Sequence, residues 1–301
     1  MSLLECFARR RPTFSFEFFP PASPEAASRL FATIAELERL RPTFVSITYG
    51  AGGSTRDLTH GLVERLCGET RLTAVPHVTC VGHTIAELEE VVGRYRRCPI
   101  GAIMALRGDR RADGSEGELR FAADLVRLIR RAEPARSTRL AIGVAGYPEG
   151  HPDTPNRLVE IEHLKAKVDA GADFIVTQLF FDNRDFLDFR DRCALAGIRA
   201  PIVAGLMPIT SLGGMRRMAD LALGMRYPAA LLRAIARAGD QEEAVARVGV
   251  HWATEQARDL LDHGVAGIHF YTLNRSAATR EVYANLGVAD SEGLAAGAPT
   301  P

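Results

Sequence analysis

Short runs of apolar residues alternate along the chain with stretches in which apolar residues recur at helical spacing. The apolar runs cover residues 13–19, 43–49, 72–80, 100–108, 139–147, 172–181, 201–207 and 266–272. Within them the apolar residues are continuous rather than alternating, which is typical of parallel strands that are buried on both faces. The pattern therefore predicts eight parallel strands.

The segments between these runs carry the start signals of helices. Ser23 followed by Pro24 marks a helix start. Thr84 and Glu87 have the spacing of a capping box. Asn183 is predicted to cap the helix after the sixth run. The seventh unit is long, at residues 208–264, and we expect an additional helix there.

Eight strands that are each followed by a helix predict a (β/α)8 barrel, the TIM barrel. A doubly wound open sheet also alternates strands and helices, but no GxGxxG follows the first predicted strand. We predict one catalytic barrel over residues 1–289. Residues 290–301 are rich in Gly, Ala and Pro, and we predict a disordered tail there.

Charge and composition narrow the function classes. The 37 basic and 37 acidic residues give a formal net charge of zero, without the basic excess of a nucleic-acid-binding protein. The five cysteines form no CxxC pair, so a disulfide framework is not expected. No apolar run reaches the roughly 18 residues of a membrane span, and the first residues do not resemble a signal peptide. We expect a cytoplasmic protein without nucleic-acid or membrane partners.

Polar residues cluster where the predicted strands end, which is where barrel enzymes place their active sites. These residues are Thr48, Tyr49, His77, Thr79, Arg107, Asp109, Tyr147, His151, Gln178 and Tyr271. Glu17 stands out because it interrupts the first strand, among four phenylalanines. A carboxylate in apolar surroundings is costly unless it has a task, and desolvation favours a protonated carboxyl. Glu17 is therefore predicted to donate a proton near neutral pH.

Two neighbouring motifs allow more than one interpretation. Asp109 beside Arg107 fits a structural ion pair as well as a functional carboxylate, and the sequence leaves both open. His77, Cys80 and His83 suggest zinc, but no fourth ligand is near, and residues 77 and 80 of a strand face opposite sides. We predict no metal site there.

Lys165 and Lys167 are the only lysines of the chain. Lys167 falls on a predicted helix rather than at a strand end, which argues against a Schiff-base lysine. A solvated helical lysine and a phosphate contact at the barrel rim remain the two interpretations.

Seven motifs stand out along the chain: SFEFFPP (15–21), VSITYGAGG (45–53), PHVTC (76–80), ALRGD (105–109), AGYPEGHP (145–152), LKAKVDAGADFIVTQLFFD (164–182) and HFYTLNR (269–275). By their order and similar spacing, from Phe14 to Leu286, they together resemble the methylenetetrahydrofolate reductase family.

The resemblance implies a flavoprotein oxidoreductase of one-carbon metabolism on a TIM barrel. NAD(P)H would reduce bound FAD, which would pass a hydride to 5,10-methylenetetrahydrofolate and give 5-methyltetrahydrofolate for methionine biosynthesis. A homo-oligomer is expected. Leu212 stands where some relatives carry a phenylalanine that packs on the nicotinamide or folate, so the electron donor stays open. The alternatives are a flavin-free pterin-binding one-carbon transferase or demethylase, and a folate-binding barrel without activity.

The resemblance also implies roles for individual residues. Glu17 matches the general acid that assists opening of the imidazolidine ring, and Asp109 matches the acid near the flavin and the pterin. Gln178 and Arg275 match substrate contacts, and Tyr271 completes the predicted substrate site. The positions that match FAD contacts are Thr48, Tyr49, Ala51, His77, Arg107, Gly108, Asp109, Ala122, Tyr147, His151, Glu160 and Lys167.

Overall fold

A computed structural model of the chain describes residues 2–9, 11–49, 56–109, 117–133, 139–222 and 224–297. Its strands are β1 (Thr13–Phe18), β2 (Phe44–Ile47), β3 (Ala74–Thr79), β4 (Ala102–Leu106), β5 (Ala141–Gly146), β6 (Phe174–Thr177), β7 (Ile202–Leu206) and β8 (Gly267–Tyr271). Each strand pairs in parallel with the next, and β8 pairs with β1 to close the barrel. The predicted (β/α)8 barrel is confirmed.

Helices surround the barrel and connect its strands. They are α1 (Leu3–Ala8), α2 (Pro24–Glu38), α3 (Arg56–Glu69), α4 (Ile85–Arg96), α5 (Ala122–Arg131), α6 (Arg157–Asp169), α7 (Asn183–Leu195), α8 (Leu212–Leu221), α9 (Ala229–Ala238), α10 (Glu242–Asp262), α11 (Ala277–Asn285) and α12 (Ser291–Gly297). The long seventh unit holds α8, α9 and α10, one helix more than the single additional helix expected there. No helix in the described part of the chain has the length and apolar character that a membrane crossing requires.

The predicted helix starts are confirmed with one exception. Ser23 caps α2, and Thr84 forms the expected capping box with Glu87 at α4. The cap of α7 is Asp182 rather than Asn183. The amide of Asn183 is instead used between helices, where its Nδ2 donates to a backbone carbonyl of α10 at 3.0 Å. Aspartate and asparagine cap helices about equally well, so adjacent positions cannot be separated by residue type.

The barrel interior is filled by side chains at its N-terminal end. Phe44, Met104 and Phe174 belong to one buried cluster inside the strands. Leu3 and Phe7 of α1 join this cluster, and the ring of Phe7 lies 5.1 Å from that of Phe174. Because α1 covers this end of the barrel, the C-terminal end of the strands is the one left for a site.

The prediction of a disordered tail is wrong for residues 291–297, which form α12. Both the backbone N–H and the hydroxyl of Ser291 donate to the carbonyl of Leu40, at 2.9 and 2.7 Å. Leu294 is buried against the barrel, and Arg41 donates to both carboxylate oxygens of Glu292. A few specific contacts thus order a segment whose composition alone indicates disorder. Residues 298–301 lie outside the described residues.

Candidate functional site

Three of the four phenylalanines near Glu17 in the sequence, Phe14, Phe16 and Phe18, lie on the opposite face of β1. Phe14 and Phe16 pack against Tyr283 of α11, with ring centroids 6.2 and 6.3 Å apart. Successive side chains of a strand alternate between its two faces, so Glu17 points into the barrel, where it is only 7% exposed. The expected phenylalanine surroundings of Glu17 are therefore wrong, and side chains of neighbouring strands surround it instead.

Three polar side chains from three different strands lie around the carboxyl of Glu17. Ser46 on β2 donates its hydroxyl to Oε2 at 3.4 Å. Nε2 of His77 on β3 lies 3.6 Å from the same oxygen, and Nε2 of His269 on β8 lies 3.7 Å away. The register of β1 accounts for two of these neighbours, because it pairs Glu17 with Ser46 of β2 and Ser15 with His269 of β8.

Burial shifts the pKa of two side chains beside Glu17, those of His77 and Tyr271. Burial lowers the pKa of His77, and nearby His269 lowers it further, against the opposing effect of Glu17. His77 is therefore neutral at neutral pH, and its contact with Glu17 is not an ordinary ion pair. Burial also raises the pKa of Tyr271 well above its usual value, and its hydroxyl donates to the carbonyl of Thr177 at 2.7 Å.

His269 and Ser46 are site residues that the sequence analysis missed. His269 is 1% exposed, its Nδ1 lies 2.7 Å from Oγ of Ser15, and its ring stacks at 6.0 Å on Phe44. One signal was available: His269 stands two positions before Tyr271, so both side chains face the same side of β8.

A second group of polar residues lies at the ends of β4 and β5. Arg107 pairs with Asp153 at 2.9 Å rather than with Asp109, so the ion pair considered between Arg107 and Asp109 is not formed. The rings of Tyr147 and His151 meet edge to face at 4.7 Å. Burial lowers the pKa of His151. The positive charges of Arg107 and Lys167 lower it further. We call these residues the β4–β5 rim.

Lys167 reaches the β4–β5 rim from α6. Its Nζ donates to the carbonyl of Ala145 in β5 at 2.5 Å. Burial lowers its pKa to about 8, and Glu160 acts in the opposite direction. Lys167 is thus not a freely solvated lysine. Glu160 is itself buried, which raises its pKa, and its Oε1 has no hydrogen-bond partner among the described residues.

The chemistry of this rim fits a dinucleotide cofactor. Arg107 and Lys167 supply cationic donors suited to phosphate oxygens. The buried Oε1 of Glu160 and Oγ1 of Thr79 have no partner among the described residues, and both can accept hydrogen bonds from hydroxyl or ring N–H groups. Gly108 adopts φ +87°, and a Cβ there would come within 2.9 Å of a side chain. A larger residue would therefore disturb the rim.

The remaining predicted residues lie around the same end of the barrel. Gln178 directly follows β6, and its Oε1 accepts from the N–H of Leu179 at 2.9 Å. Arg275 is exposed on the loop after β8. The other predicted cofactor contacts are Thr48 and Tyr49 after β2, and Ala122 at the first position of α5. Ala51 lies outside the described residues.

The family model described as methylenetetrahydrofolate reductase matches residues 3–287. The 5,10-methylenetetrahydrofolate reductase of Escherichia coli K12 is 38% identical over 274 residues, which are 91% of this chain and 90% of that protein. Methylenetetrahydrofolate reductase (NADH) 1 of Arabidopsis thaliana is 39% identical over 95% of this chain, which spans only 50% of that protein.

A solved structure supports the fold independently. The Clostridium thermocellum protein described as binding two copies of 5-methyl-5,6,7,8-tetrahydrofolic acid aligns with a TM-score of 0.65, over 94% of this chain and 96% of that one. At 15% identity this likeness speaks for the barrel alone. The sequence matches go further, because they extend through all eight strands and both groups of polar residues at the barrel mouth. By that extent, the chain belongs to the methylenetetrahydrofolate reductase family.

Proposed function

We propose that this chain reduces 5,10-methylenetetrahydrofolate to 5-methyltetrahydrofolate, with electrons that pass from NAD(P)H through bound FAD. The observation that carries the proposal is the carboxyl of Glu17, buried inside the barrel beside Ser46, His77 and His269. Burying a carboxyl costs free energy, and a protein that only binds folate has no need of a proton donor there. Membership of the reductase family supports the same reaction class.

The β4–β5 rim is the proposed site of FAD. When bound, FAD accepts a hydride from the reduced nicotinamide and gives a hydride to the folate. Lys167, Arg107 and His151 would hold its phosphates, since charge-assisted hydrogen bonds to phosphate are among the strongest in proteins. Glu160 would accept hydrogen bonds from hydroxyl groups of the cofactor, and Tyr147 would pack beside it.

Glu17 is proposed to move the proton that folate reduction requires. The five-membered ring of the folate opens only if the departing amine nitrogen is protonated, because an unprotonated amine is a poor leaving group. Oε2 of Glu17 would deliver that proton. The hydroxyl of Ser46, which already donates to Oε2, would stabilise the carboxylate left behind.

Folate is proposed to bind between the β4–β5 rim and the polar side chains around Glu17. Gln178 and Tyr271 lie at the ends of β6 and β8, and Arg275 follows on the loop after β8. A cation at the exposed rim suits a carboxylate of the substrate. Asp109, at the end of β4, would face both the pterin and the flavin.

The test uses the purified protein under anaerobic conditions. We expect the yellow spectrum of oxidised flavin, bleaching on addition of NADH or NADPH, and recovery of colour on addition of 5,10-methylenetetrahydrofolate with formation of 5-methyltetrahydrofolate. Comparing the two bleaching rates identifies the preferred donor. A protein that binds folate but takes up no flavin would contradict the proposal and favour the flavin-free one-carbon transferase.

A further inference from the structure

We propose that Asn274 is a positioning residue, which fixes the loop after β8 to the end of β1 and thereby sets Arg275 relative to the Glu17 carboxyl. The inference rests on the proposed function, in which Glu17 gives a proton to folate and Arg275 helps to hold it. Asn274 itself is not assigned any contact with substrate.

The side-chain amide of Asn274 bridges to both backbone groups of Phe19. The N–H of Phe19 donates to Oδ1 of Asn274 at 2.8 Å, and Nδ2 of Asn274 donates to the carbonyl of Phe19 at 3.0 Å. Phe19 lies one residue beyond β1, where the strand ladder has ended. The amide thus takes the place that a neighbouring strand would occupy.

One further side chain joins the same two segments, and another fastens the loop to α2. The hydroxyl of Thr272 donates to the carbonyl of Glu17 at 2.6 Å, and the hydroxyl of Thr33 on α2 donates to the carbonyl of Asn274 at 3.3 Å. The backbone register of β1 and β8 ends with Glu17 opposite Tyr271. The bonds of Thr272 and Asn274 therefore continue the β1–β8 seam, the line along which β1 pairs with β8, for two residues beyond Glu17.

The backbone of the loop also shows that it is held. Leu273 and Asn274 have φ values of 50° and 58°. Non-glycine residues rarely adopt this left-handed conformation, and such conformations persist where surrounding contacts over-determine them. Asparagine tolerates the conformation better than leucine does, so Asn274 combines the right backbone preference with the amide that secures the turn.

Loss of this attachment should affect folate and spare the flavin. Arg275 directly follows Asn274, so a loosened loop would move it relative to Glu17. The β4–β5 rim lies across the barrel from the β1–β8 seam, because strands follow one another around the ring in chain order. Small displacements of positioning groups reduce rates strongly, and the effect should appear in folate binding as well.

The experiment compares Asn274→Gly and Asn274→Asp in the flavin-loaded enzyme. Glycine keeps the left-handed backbone accessible but removes both bonds to Phe19. Aspartate retains the acceptor for the N–H of Phe19 and loses only the donor to its carbonyl. Asn183→Ala is the matched control. The amide of Asn183 also bridges two elements, since Nδ2 donates to the carbonyl of Gln256 at 3.0 Å and to Asp259 at 2.7 Å.

Four quantities are measured: KM and kcat for 5,10-methylenetetrahydrofolate, the Kd of 5-methyltetrahydrofolate, and the rate of flavin reduction by NAD(P)H. We expect Asn274→Gly to raise KM and Kd on the order of 10-fold, because loss of the bonds to Phe19 frees the loop that carries Arg275, with flavin reduction within about 2-fold of wild type. Asn274→Asp should fall between Asn274→Gly and wild type, and Asn183→Ala should leave all four quantities unchanged. Amide hydrogen exchange at Phe19 should accelerate in Asn274→Gly alone.

Unchanged KM and Kd in Asn274→Gly would overturn the inference, and so would equal losses in Asn274→Gly and Asn183→Ala, which would indicate general destabilisation. A wild-type protein that binds no folate would contradict the proposed function itself, and the positioning role with it. If the wild-type protein reduces folate normally but Asn274→Gly leaves KM and Kd unchanged, the positioning role fails while the proposed function stands.

Discussion

Nε2 of His269 lies 3.7 Å from Oε2 of Glu17, although the two residues stand at opposite ends of the chain. The closure of the barrel brings them together, because β8 pairs with β1. The ring is held from the other side by Oγ of Ser15, 2.7 Å from Nδ1. The hydroxyl of Ser15, on the same strand as Glu17, therefore fixes the orientation of the His269 imidazole.

His269→Phe should lower the free energy of unfolding, because it removes the hydrogen bond between His269 and Ser15. Phenylalanine keeps a ring against Phe44 but leaves the buried hydroxyl of Ser15 without its partner. An unsatisfied buried hydroxyl costs about 1–3 kcal/mol, so the free energy of unfolding should fall by about that amount. Adding Ser15→Ala should recover part of the loss, which urea unfolding of both single variants and the double variant measures. Strictly additive effects would show that the two side chains do not interact.

Lys167→Ala should weaken flavin binding and leave the fold intact. One charge-assisted contact to phosphate contributes on the order of 1.5–3 kcal/mol, so the Kd for FAD should rise about 10- to 100-fold in titrations of the apoprotein. Lys165→Ala is the control, because Lys165 lies on the same helix but pairs at the surface with Asp169. An unchanged Kd in Lys167→Ala would remove Lys167 from the cofactor site.

Flavin affinity should also fall as the pH rises through about 8. The buried ammonium of Lys167 has its pKa lowered to about 8 in the free protein, and a bound phosphate would raise that pKa. Between the free and bound values, binding takes up a proton, so the affinity decreases with rising pH. Measured between pH 7 and 9, this dependence should be present in wild type and absent in Lys167→Ala. Parallel curves for the two proteins would assign the dependence to another group.

The fold could be predicted from the sequence because burial on both faces leaves a local signal. Parallel strands inside a shell of helices appear as continuous apolar runs, and the eight runs each contain one observed strand. The tail after residue 290 could not be predicted in this way. Its order depends on Ser291 and Leu294 meeting Leu40 and the barrel core, which are contacts between segments far apart in the chain.

Residues of the candidate site could be predicted where their place on a strand is enough to identify them. Glu17 was found because a carboxylate interrupts an apolar strand, and His77 and Tyr271 were found because they lie near strand ends. Their mutual contacts depend on the register across β1, β2, β3 and β8, which local patterns do not encode. His269 and Ser46 were missed for this reason, and Glu17 was placed among phenylalanines that in fact face the helices.

The central claim is that Glu17 is the proton donor of folate reduction. Hydride transfer from the nicotinamide to the flavin needs no proton from this carboxyl. Opening of the folate ring does need one, and a positioned acid contributes about 10²–10⁴-fold. Glu17→Gln keeps the size of the side chain and can still accept from Ser46, so it removes the acidic proton with little change in packing.

Stopped-flow measurement of the two half-reactions in Glu17→Gln tests this most directly. We predict that reoxidation of the reduced enzyme by 5,10-methylenetetrahydrofolate slows by about 10²–10⁴-fold, while flavin reduction by NAD(P)H stays within a few-fold of wild type. Equal impairment of both half-reactions, or of neither, would show that Glu17 is a structural residue and would contradict the mechanism.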